Sequence, residues 1–203
     1  MFITEYQTSE GGRIELGLDG KIKLRLYVSE ARQLSLKEGM ELSDEQYRYI
    51  LHEILGRRAV KRAMHLLERQ ERTERQLRDK LIGDYPPEAV EEAVAYVKRY
   101  RYLDDRRYAE TFIRYHQEDR SRMRIGQDLL RRGVPKKIIE ECMEQEFVAD
   151  ERAQIRRLLE KKRFSPDTAD PREAHKMYQF LMRRGFRSED IASVMRADDT
   201  DSA

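Results

Sequence analysis

The sequence has one cysteine, Cys142, and no tryptophan in its 203 residues. A single cysteine excludes an internal disulfide bond and a zinc site that several cysteines would build. Cys142 lies in the stretch IIEECMEQEF, where it shares one helical face with Ile138, Ile139 and Met143. We therefore expect it to be a small core residue, which is the usual position of a free cysteine.

Long apolar runs are also missing. No stretch approaches the roughly 18 apolar residues that a membrane-spanning helix needs. The N-terminal segment MFITEYQTSE has neither a basic region nor an apolar core, so it is not a secretory signal. We expect a soluble, cytoplasmic protein that has no membrane partner.

The short motifs of common catalytic sites are absent as well. The histidines are not spaced as H-E-x-x-H, and the sequence contains neither G-x-x-x-x-G-K-[ST] nor G-x-S-x-G. We predict no catalytic residues, no metal site and no cofactor. An enzyme is the class of protein that the sequence favours least.

Charge is abundant but unevenly placed. Charged residues make up 39% of the chain, while glycine and proline number only 10 and 5, a mix that favours helices with wide solvated faces. Residues 96–137 carry thirteen Lys and Arg against six Asp and Glu, a local excess of seven. Such a block can attract a polyanion. It can equally be a solvated helix surface, and composition alone leaves both interpretations open.

The N-terminal segment RIELGLDGKIKLRLYV alternates apolar and polar residues around Asp19-Gly20, which predicts a β-hairpin. A two-residue loop would pair apolar residues with polar ones and mix the faces of the sheet. A three-residue loop places Leu16 opposite Leu24 and Leu18 opposite Ile22, so we predict that loop. An earlier strand, around residues 2–8, can join this hairpin.

After about Ser29 the sequence turns helical. The segment SDEQYRYILHEIL predicts a leading helix whose N-cap is Ser43 or Asp44. Beyond it, AMHLLE, AETFIR and IRRLLE align at an offset of 46 residues each time. A second block follows each of these segments, and within it Gly133 matches Gly185 at an offset of 52 residues.

Each repeated unit is predicted to contain three helices. Gly133 and Gly185 fit left-handed C-terminal caps, and the third helices are predicted to start after Pro87, after Pro135 and at Ser188. We therefore predict a mainly α protein with three tandem three-helix repeats in an elongated curved array, preceded by a small N-terminal β-hairpin extension. The predicted domains are residues 1–43 (hairpin extension and linker), 44–99 (leading helix and first repeat), 100–149 (second repeat), 150–197 (third repeat) and 198–203 (acidic disordered tail).

The stretch RYRYLDDRRYAETFI raises the question of what Asp104 and Asp105 do. Adjacent helical side chains point about 100° apart, so the two carboxylates do not flank one substrate atom. We predict that Asp104 is an N-cap and that Asp105 favours the helix dipole. The core residues that follow are predicted to be Tyr108, Ala109, Phe112 and Ile113. Tyr100 and Tyr102 can pack between repeats or stack on bases, and both interpretations stay open.

With these segments in view, the chain resembles the RecX family of RecA regulators. The resemblance rests on Thr73–Leu77 (TERQL), the Tyr-Leu-Asp-Asp turn at 102–105, the R-I-x-x-D-L-x-x-R-G-V block at 124–134 and FLMRRGF at 180–186. It covers nearly the whole chain. Arg101 and Ser121 depart from the pattern, because they stand where the family usually has glycine.

The resemblance implies a non-enzymatic regulator, in many members an inhibitor, that binds the RecA recombinase on DNA. Binding in the groove of the RecA-DNA filament would reduce strand exchange, ATP turnover and co-protease activity. We expect a monomer that meets single- or double-stranded DNA more weakly or indirectly. The predicted RecA- or DNA-binding residues lie in the second repeat: Arg106, Arg107, Arg122, Arg124, Arg131, Arg132, Lys136 and Lys137. The alternatives are a DNA-binding helical-repeat protein, since LLRRGVPKKII is compatible with a helix-turn-helix, and an adaptor for a different protein.

Overall fold

The computed structural model describes residues 1–9, 11–166 and 168–196. The chain divides into two compact units, Met1–Asp104 and Asp105–Ala203. Within the described ranges, the first unit contains three strands and five α-helices, and the second contains six α-helices. The chain is therefore mainly α with a small N-terminal sheet, as the sequence predicts.

The N-terminal sheet is antiparallel, with its strands in sequence order. The strands are β1 (Ile3–Ser9), β2 (Arg13–Leu18) and β3 (Ile22–Tyr27). Leu16 pairs with Leu24 and Leu18 with Ile22, which confirms the three-residue loop. Asp19 and Gly20 both have positive φ, at 48° and 65°. Because the predicted register keeps the leucines on one side of the sheet, one face of the hairpin is buried.

The helices of the first unit follow the sheet directly. They are α1 (Val28–Gln33), α2 (Asp44–Arg48), a π-helical segment (Tyr49–Gly56), α3 (Arg57–Arg69), α4 (Glu74–Leu81) and α5 (Pro87–Arg99). Ser43 is the N-cap of α2, because its side chain accepts a hydrogen bond from the backbone N–H of Gln46. The leading helix thus starts at the predicted position and contains a π-helical segment that its 3.6-residue periodicity did not predict.

One continuous hydrophobic core holds the first unit together. It joins sheet residues such as Leu16 and Leu24 to helix residues such as Leu55, Leu77 and Val97. Polar contacts secure the same junction, because the Arg58 guanidinium of α3 donates to the carbonyl oxygen of Arg25 in β3 at 2.9 Å. The sheet is therefore part of the same folded body as α3–α5 rather than a separate appendage.

In its described residues, the second unit contains six helices that belong to two three-helix repeats. They are α6 (Asp105–His116), α7 (Arg122–Arg131), α8 (Lys136–Glu146), α9 (Glu151–Lys161), α10 (Pro171–Arg183) and α11 (Ser188–Met195). The predicted core residues of α6 and the thiol of Cys142 are buried together in one cluster. A second cluster, which includes Leu181 and Phe186, fills the space among α9, α10 and α11.

The repeat boundaries follow the backbone chemistry that the sequence indicates. Gly133 and Gly185 have φ of 90° and 84°, in the region where a Cβ is unfavourable, and each follows a helix C-terminus. Helix α5 begins at Pro87, α8 begins immediately after Pro135, and α11 begins at Ser188. These predicted helix starts are therefore confirmed.

The domain limits and the elongated curved array stay predictions. The acidic tail, residues 198–203, lies outside the described residues. In the described part of the chain, no helix combines the length and apolarity needed to cross a membrane.

Candidate binding surface of the second repeat

Three arginines converge on one carboxylate along α7. Arg124 and Arg131 lie four residues before and three residues after Asp128, so all three project from the same side of the helix. The Asp128 carboxylate lies 3.4 Å from the Arg124 Nε and 3.0 Å from a guanidinium nitrogen of Arg120, and it also pairs with Arg131. Its side chain is only 12% exposed. Asp128 therefore organises a basic cluster.

The charge of this cluster is far from neutral. Arg120, Arg124 and Arg131 share a single acid, which leaves an excess of two positive charges in one place. The side chains of these arginines are 37%, 41% and 62% exposed, although the Asp128 side chain that they share is not. Their exposed guanidinium groups can therefore also bind a phosphate, because carboxylate and phosphate both fit the guanidinium fork.

Arg132, the next predicted contact residue, has a different position. It donates to the hydroxyl of Tyr108 at 3.0 Å, and its guanidinium carbon lies 4.9 Å from the centre of the Phe112 ring. The Arg120 guanidinium lies 5.8 Å from the same ring. A cation over an aromatic face is attracted by the ring quadrupole. Arg132 therefore supports the α6–α7 packing as well as adding charge.

His116 lies at the edge of this cluster. Its ring centre is 4.3 Å from that of Phe112 in an edge-on arrangement. Burial lowers the pKa of His116, and the neighbouring Arg120 and Arg132 lower it further. The imidazole is thus neutral near pH 7, and acidification would add a positive charge here.

The remaining predicted residues of α6 and of the α7 N-terminus are spread over different contacts. Arg106 pairs with Glu141 of α8, and this hydrogen bond raises the pKa of the guanidinium. The backbone N–H of Arg122 donates to Glu151 at 2.9 Å, and its guanidinium lies 5.8 Å from the ring of Phe147. The side chain of Arg107 is exposed on α6. Arg106 and Arg122 therefore contribute to packing within the second unit.

Two predicted lysines lie at the N-terminus of α8. Lys136 approaches Glu140 at 3.5 Å, and both side chains are exposed. Lys137 is also exposed and has no ion-pair partner among the described residues. The first turn of α8 contains no acidic residue. Two cations at the N-terminus of a helix are slightly unfavourable, because that end of the helix dipole is positive. These lysines are therefore the predicted contact residues that packing explains least.

An aromatic ladder lies in the first unit, near the end of α5. It consists of Tyr96, Tyr100 and Tyr102, whose side chains are 42%, 52% and 48% exposed. The ring centres of Tyr96 and Tyr100 are 4.7 Å apart, and those of Tyr100 and Tyr102 are 6.4 Å apart. Arg101 stands between two of these tyrosines with φ of 57°. The rings of each pair are tilted by 46° and 31°, and the Arg99 guanidinium carbon lies 6.0 Å from the centre of the Tyr100 ring.

Family models match the helical part of the chain repeat by repeat. The model of the first three-helix domain of RecX matches residues 59–96, the second matches 104–143 and the third matches 150–195. The chain belongs to the RecX family. Its three repeats are thus the three RecX three-helix domains, and the resemblance that the sequence motifs suggest is confirmed.

RecX proteins match the chain over nearly its whole length. It is 33% identical over 199 residues to the regulatory protein RecX of Caldanaerobacter subterraneus subsp. tengcongensis, covering 96% of this chain and 98% of that one. It is 26% identical to the regulatory protein RecX of Clostridium beijerinckii, with coverage of 95% and 92%. The chain therefore has the regulatory role of the RecX family.

Solved RecX structures have the same fold. A crystal structure of regulatory protein RecX superimposes with a TM-score of 0.63 at 25% identity, covering 95% of this chain and 98% of that one. RecX from Lactobacillus salivarius superimposes with a TM-score of 0.61 at 21% identity, covering 70% and 96%. The second similarity concerns the fold alone.

The two departures from the RecX pattern have different structural outcomes. Arg101 adopts the positive φ that a glycine would adopt more easily. Ser121 instead caps α7, accepting a hydrogen bond from the N–H of Arg124 at 3.2 Å. Its hydroxyl also donates to the carbonyl oxygen of Arg184 at 2.9 Å. The serine therefore joins the second RecX domain to the third.

Sequence reasoning missed three members of the basic cluster. Asp128 was readable, since its spacing from Arg124 and Arg131 is that of helical ion pairs. Arg120 precedes the N-cap Ser121, and only the path of the loop brings it to Asp128. His116 offered no signal beyond its helical spacing from Phe112. Among the described residues, no group of three or more His, Cys, Asp or Glu side chains is arranged to hold a metal ion.

Proposed function

We propose that this RecX-family chain is a non-enzymatic regulator of the RecA recombinase. It binds the RecA-DNA filament in its helical groove and lowers ATP turnover, strand exchange and co-protease activity in DNA repair and recombination. The observation that carries the proposal is the 33% identity to a regulatory protein RecX over 96% of the chain, because it includes all three repeated domains.

The basic cluster supports a role against an anionic surface. The arginines around Asp128 and the lysines at the start of α8 belong to one three-helix repeat, and most of their charge faces solvent. DNA phosphates and acidic protein side chains are both recognised by such groups. On this proposal the second repeat contacts the filament, and the chain acts as a cytoplasmic monomer.

The test is the single-stranded-DNA-dependent ATPase of RecA from the same organism, titrated with this protein. We expect inhibition at substoichiometric ratios, because one regulator on a filament affects many RecA subunits. No inhibition at an excess of the protein, with filaments intact by light scattering, would contradict the proposal.

A pair of double variants locates the surface. Lys136→Ala with Lys137→Ala removes two exposed charges from the second repeat and breaks only a surface ion pair. Lys21→Ala with Lys37→Ala removes the same charge from exposed positions of the first unit. The first pair should weaken RecA inhibition and the second should not. Equal behaviour of the two pairs would remove α8 from the contact surface.

The aromatic ladder favours a second candidate function, direct binding of single-stranded nucleic acid. Base stacking on an aromatic ring is worth about 1–3 kcal/mol per base and tolerates any sequence. Tyr100→Ala should therefore weaken binding to an oligothymidylate by about tenfold without RecA present, whereas Tyr100→Phe should preserve it. Tyr115→Ala, at an exposed tyrosine outside the ladder, is the control. Loss of binding in both alanine variants would argue against stacking at the ladder.

A further inference from the structure

A recess in the first unit is lined by four arginines. It encloses about 270 Å³ between strands β2 and β3, helix α3 and the loop before α5. Arg13, Arg25, Arg58 and Arg62 line it, and among the described residues of the lining Asp84 is the one acid. These residues come from distant parts of the sequence, so the fold assembles a basic site where residues 1–50 have a small acidic excess.

Arg58 forms the fixed wall of the recess. Its guanidinium donates to the Glu30 carboxylate at 2.8 Å and to the carbonyl oxygen of Arg25 at 2.9 Å. The same group lies 4.5 Å from the ring centre of Tyr27 and 5.7 Å from that of Tyr85. Both ion-pair and aromatic contacts hold it. Arg58 is thus satisfied by its neighbours and mainly shapes the site.

Arg25 and Arg13 share the floor of the recess. Arg25 pairs with Glu15 at 3.0 Å and with Asp84 at 3.3 Å, and it donates to the carbonyl oxygen of Gly83. Arg13 reaches the same Asp84 carboxylate only at 3.7 Å. Beyond about 3.5 Å, the contact is an ion pair without a good hydrogen bond. The hydrogen-bond donors of Arg13 are therefore poorly used.

Arg62 projects into the recess from α3. Its side chain is exposed, and it has no ion pair with any described residue. Counting Glu15 and Glu30 outside the lining together with Asp84, three acids face four arginines. One positive charge is thus in excess, and Arg13 on β2 and Arg62 on α3 are the lining arginines that have no carboxylate of a described residue within 3.5 Å.

We propose that this recess binds a phosphate group between Arg13 and Arg62. A carboxylate carries a single negative charge on two oxygens that lie in one plane, whereas a phosphate carries more charge on three acceptor oxygens. A phosphate is also tetrahedral, so two guanidinium forks can approach it from different sides, and Arg13 and Arg62 come from two different elements of the recess. The phosphate belongs either to a small molecule or to a nucleic-acid backbone. The site is separate from the second repeat and does not depend on RecA regulation.

Two neighbouring residues of α3 give a matched test. Arg62→Ala removes a charge inside the recess, and Lys61→Ala removes the same charge from an exposed position outside its lining. Binding of inorganic pyrophosphate is measured by calorimetry, and binding of an oligothymidylate is measured by fluorescence anisotropy. Acetate at the same ionic strength is the control anion in both assays. Arg62→Ala should raise the Kd of one of these two probes about tenfold relative to Lys61→Ala. The probe that responds identifies the source of the phosphate.

A second pair of variants should act in the opposite direction. Asp84→Asn removes the carboxylate that competes with an incoming anion for Arg13 and Arg25, so it should tighten binding of the responsive probe. Asp79→Asn, at an exposed site of α4, removes the same charge elsewhere and should have less effect. Thermal melting first checks that the variants are folded. The proposal is overturned if Arg62→Ala and Lys61→Ala then have the same Kd for both probes. It is also overturned if acetate displaces the responsive probe as well as unlabelled pyrophosphate does.

Discussion

Gly185 is a position where a single methyl group should cost this protein stability. Its φ is +84°, and a Cβ added there would lie 2.7 Å from the Ser121 Oγ and 3.2 Å from the Arg124 Cβ. A left-handed conformation costs an L-residue about 1–2 kcal/mol. Displacing Ser121 would also weaken its 2.9 Å hydrogen bond to the Arg184 carbonyl, worth about 1 kcal/mol. We expect Gly185→Ala to lower the free energy of unfolding by about 2–3 kcal/mol.

Thermal unfolding by circular dichroism and calorimetry measures this effect. For a unit of this size, each kcal/mol shifts Tm by roughly 4–8 °C, so the second unit should melt about 10–20 °C lower. Gly83→Ala is the matched control, because its φ is not in the left-handed region and a Cβ there meets nothing within 4 Å. That substitution should be neutral or slightly stabilising.

A double variant separates backbone strain from the lost hydrogen bond. Ser121→Ala alone removes the cap of α7 and the bond to Arg184. If the added Cβ acts through Ser121, this substitution should cost less stability in the Gly185→Ala background than in the native chain. Equal stability of Gly185→Ala and Gly83→Ala would refute the reasoning altogether.

Three further predictions concern the second repeat. Asp128→Asn should tighten DNA binding and steepen its log-log salt dependence by about 0.7–0.9, because one neutralising charge leaves the arginine cluster. The pKa of His116 is lowered in the folded protein, so below about pH 6.5 the unfolded chain binds more protons than the folded chain does. The free energy of unfolding should therefore fall as the pH drops below that value. Denaturant titrations at several pH values measure this dependence, and His116→Gln should make it weaker. The Cys142 thiol, whose pKa is raised by burial, should react with a thiol reagent far faster in denaturant than in the native protein.

Local chemistry was readable from the sequence where one residue type fits one conformation. Gly133 and Gly185 could be placed as helix caps because a Cβ is unfavourable at their φ. The register of Leu16 against Leu24 followed from alternation, since a shift by one residue would turn the leucines to the other face. Both features depend only on residues that are close together in the sequence.

Contacts between distant segments could not be read in the same way. Arg106 lies in a basic segment and was therefore predicted to bind an anion, yet it pairs with Glu141. Only the packing of α6 on α8 brings these two side chains together. The recess arginines are similar, because Arg25 and Asp84 meet across 59 residues of sequence. A count of charges along a segment does not show which of them are paired in space, because that depends on the fold. Local charge therefore predicts a basic segment and not the individual contact residues.

The second and third repeats have separate hydrophobic clusters, one containing Phe112 and the other Phe186. Polar contacts such as that of Ser121 with the Arg184 carbonyl bridge them. Apolar burial supplies most of the cooperativity of folding, while each polar bridge adds only about 1 kcal/mol. We therefore expect the last three helices to open as a sub-global unit while the middle three stay folded, so that backbone amides of α9–α11 exchange hydrogen faster than those of α6–α8.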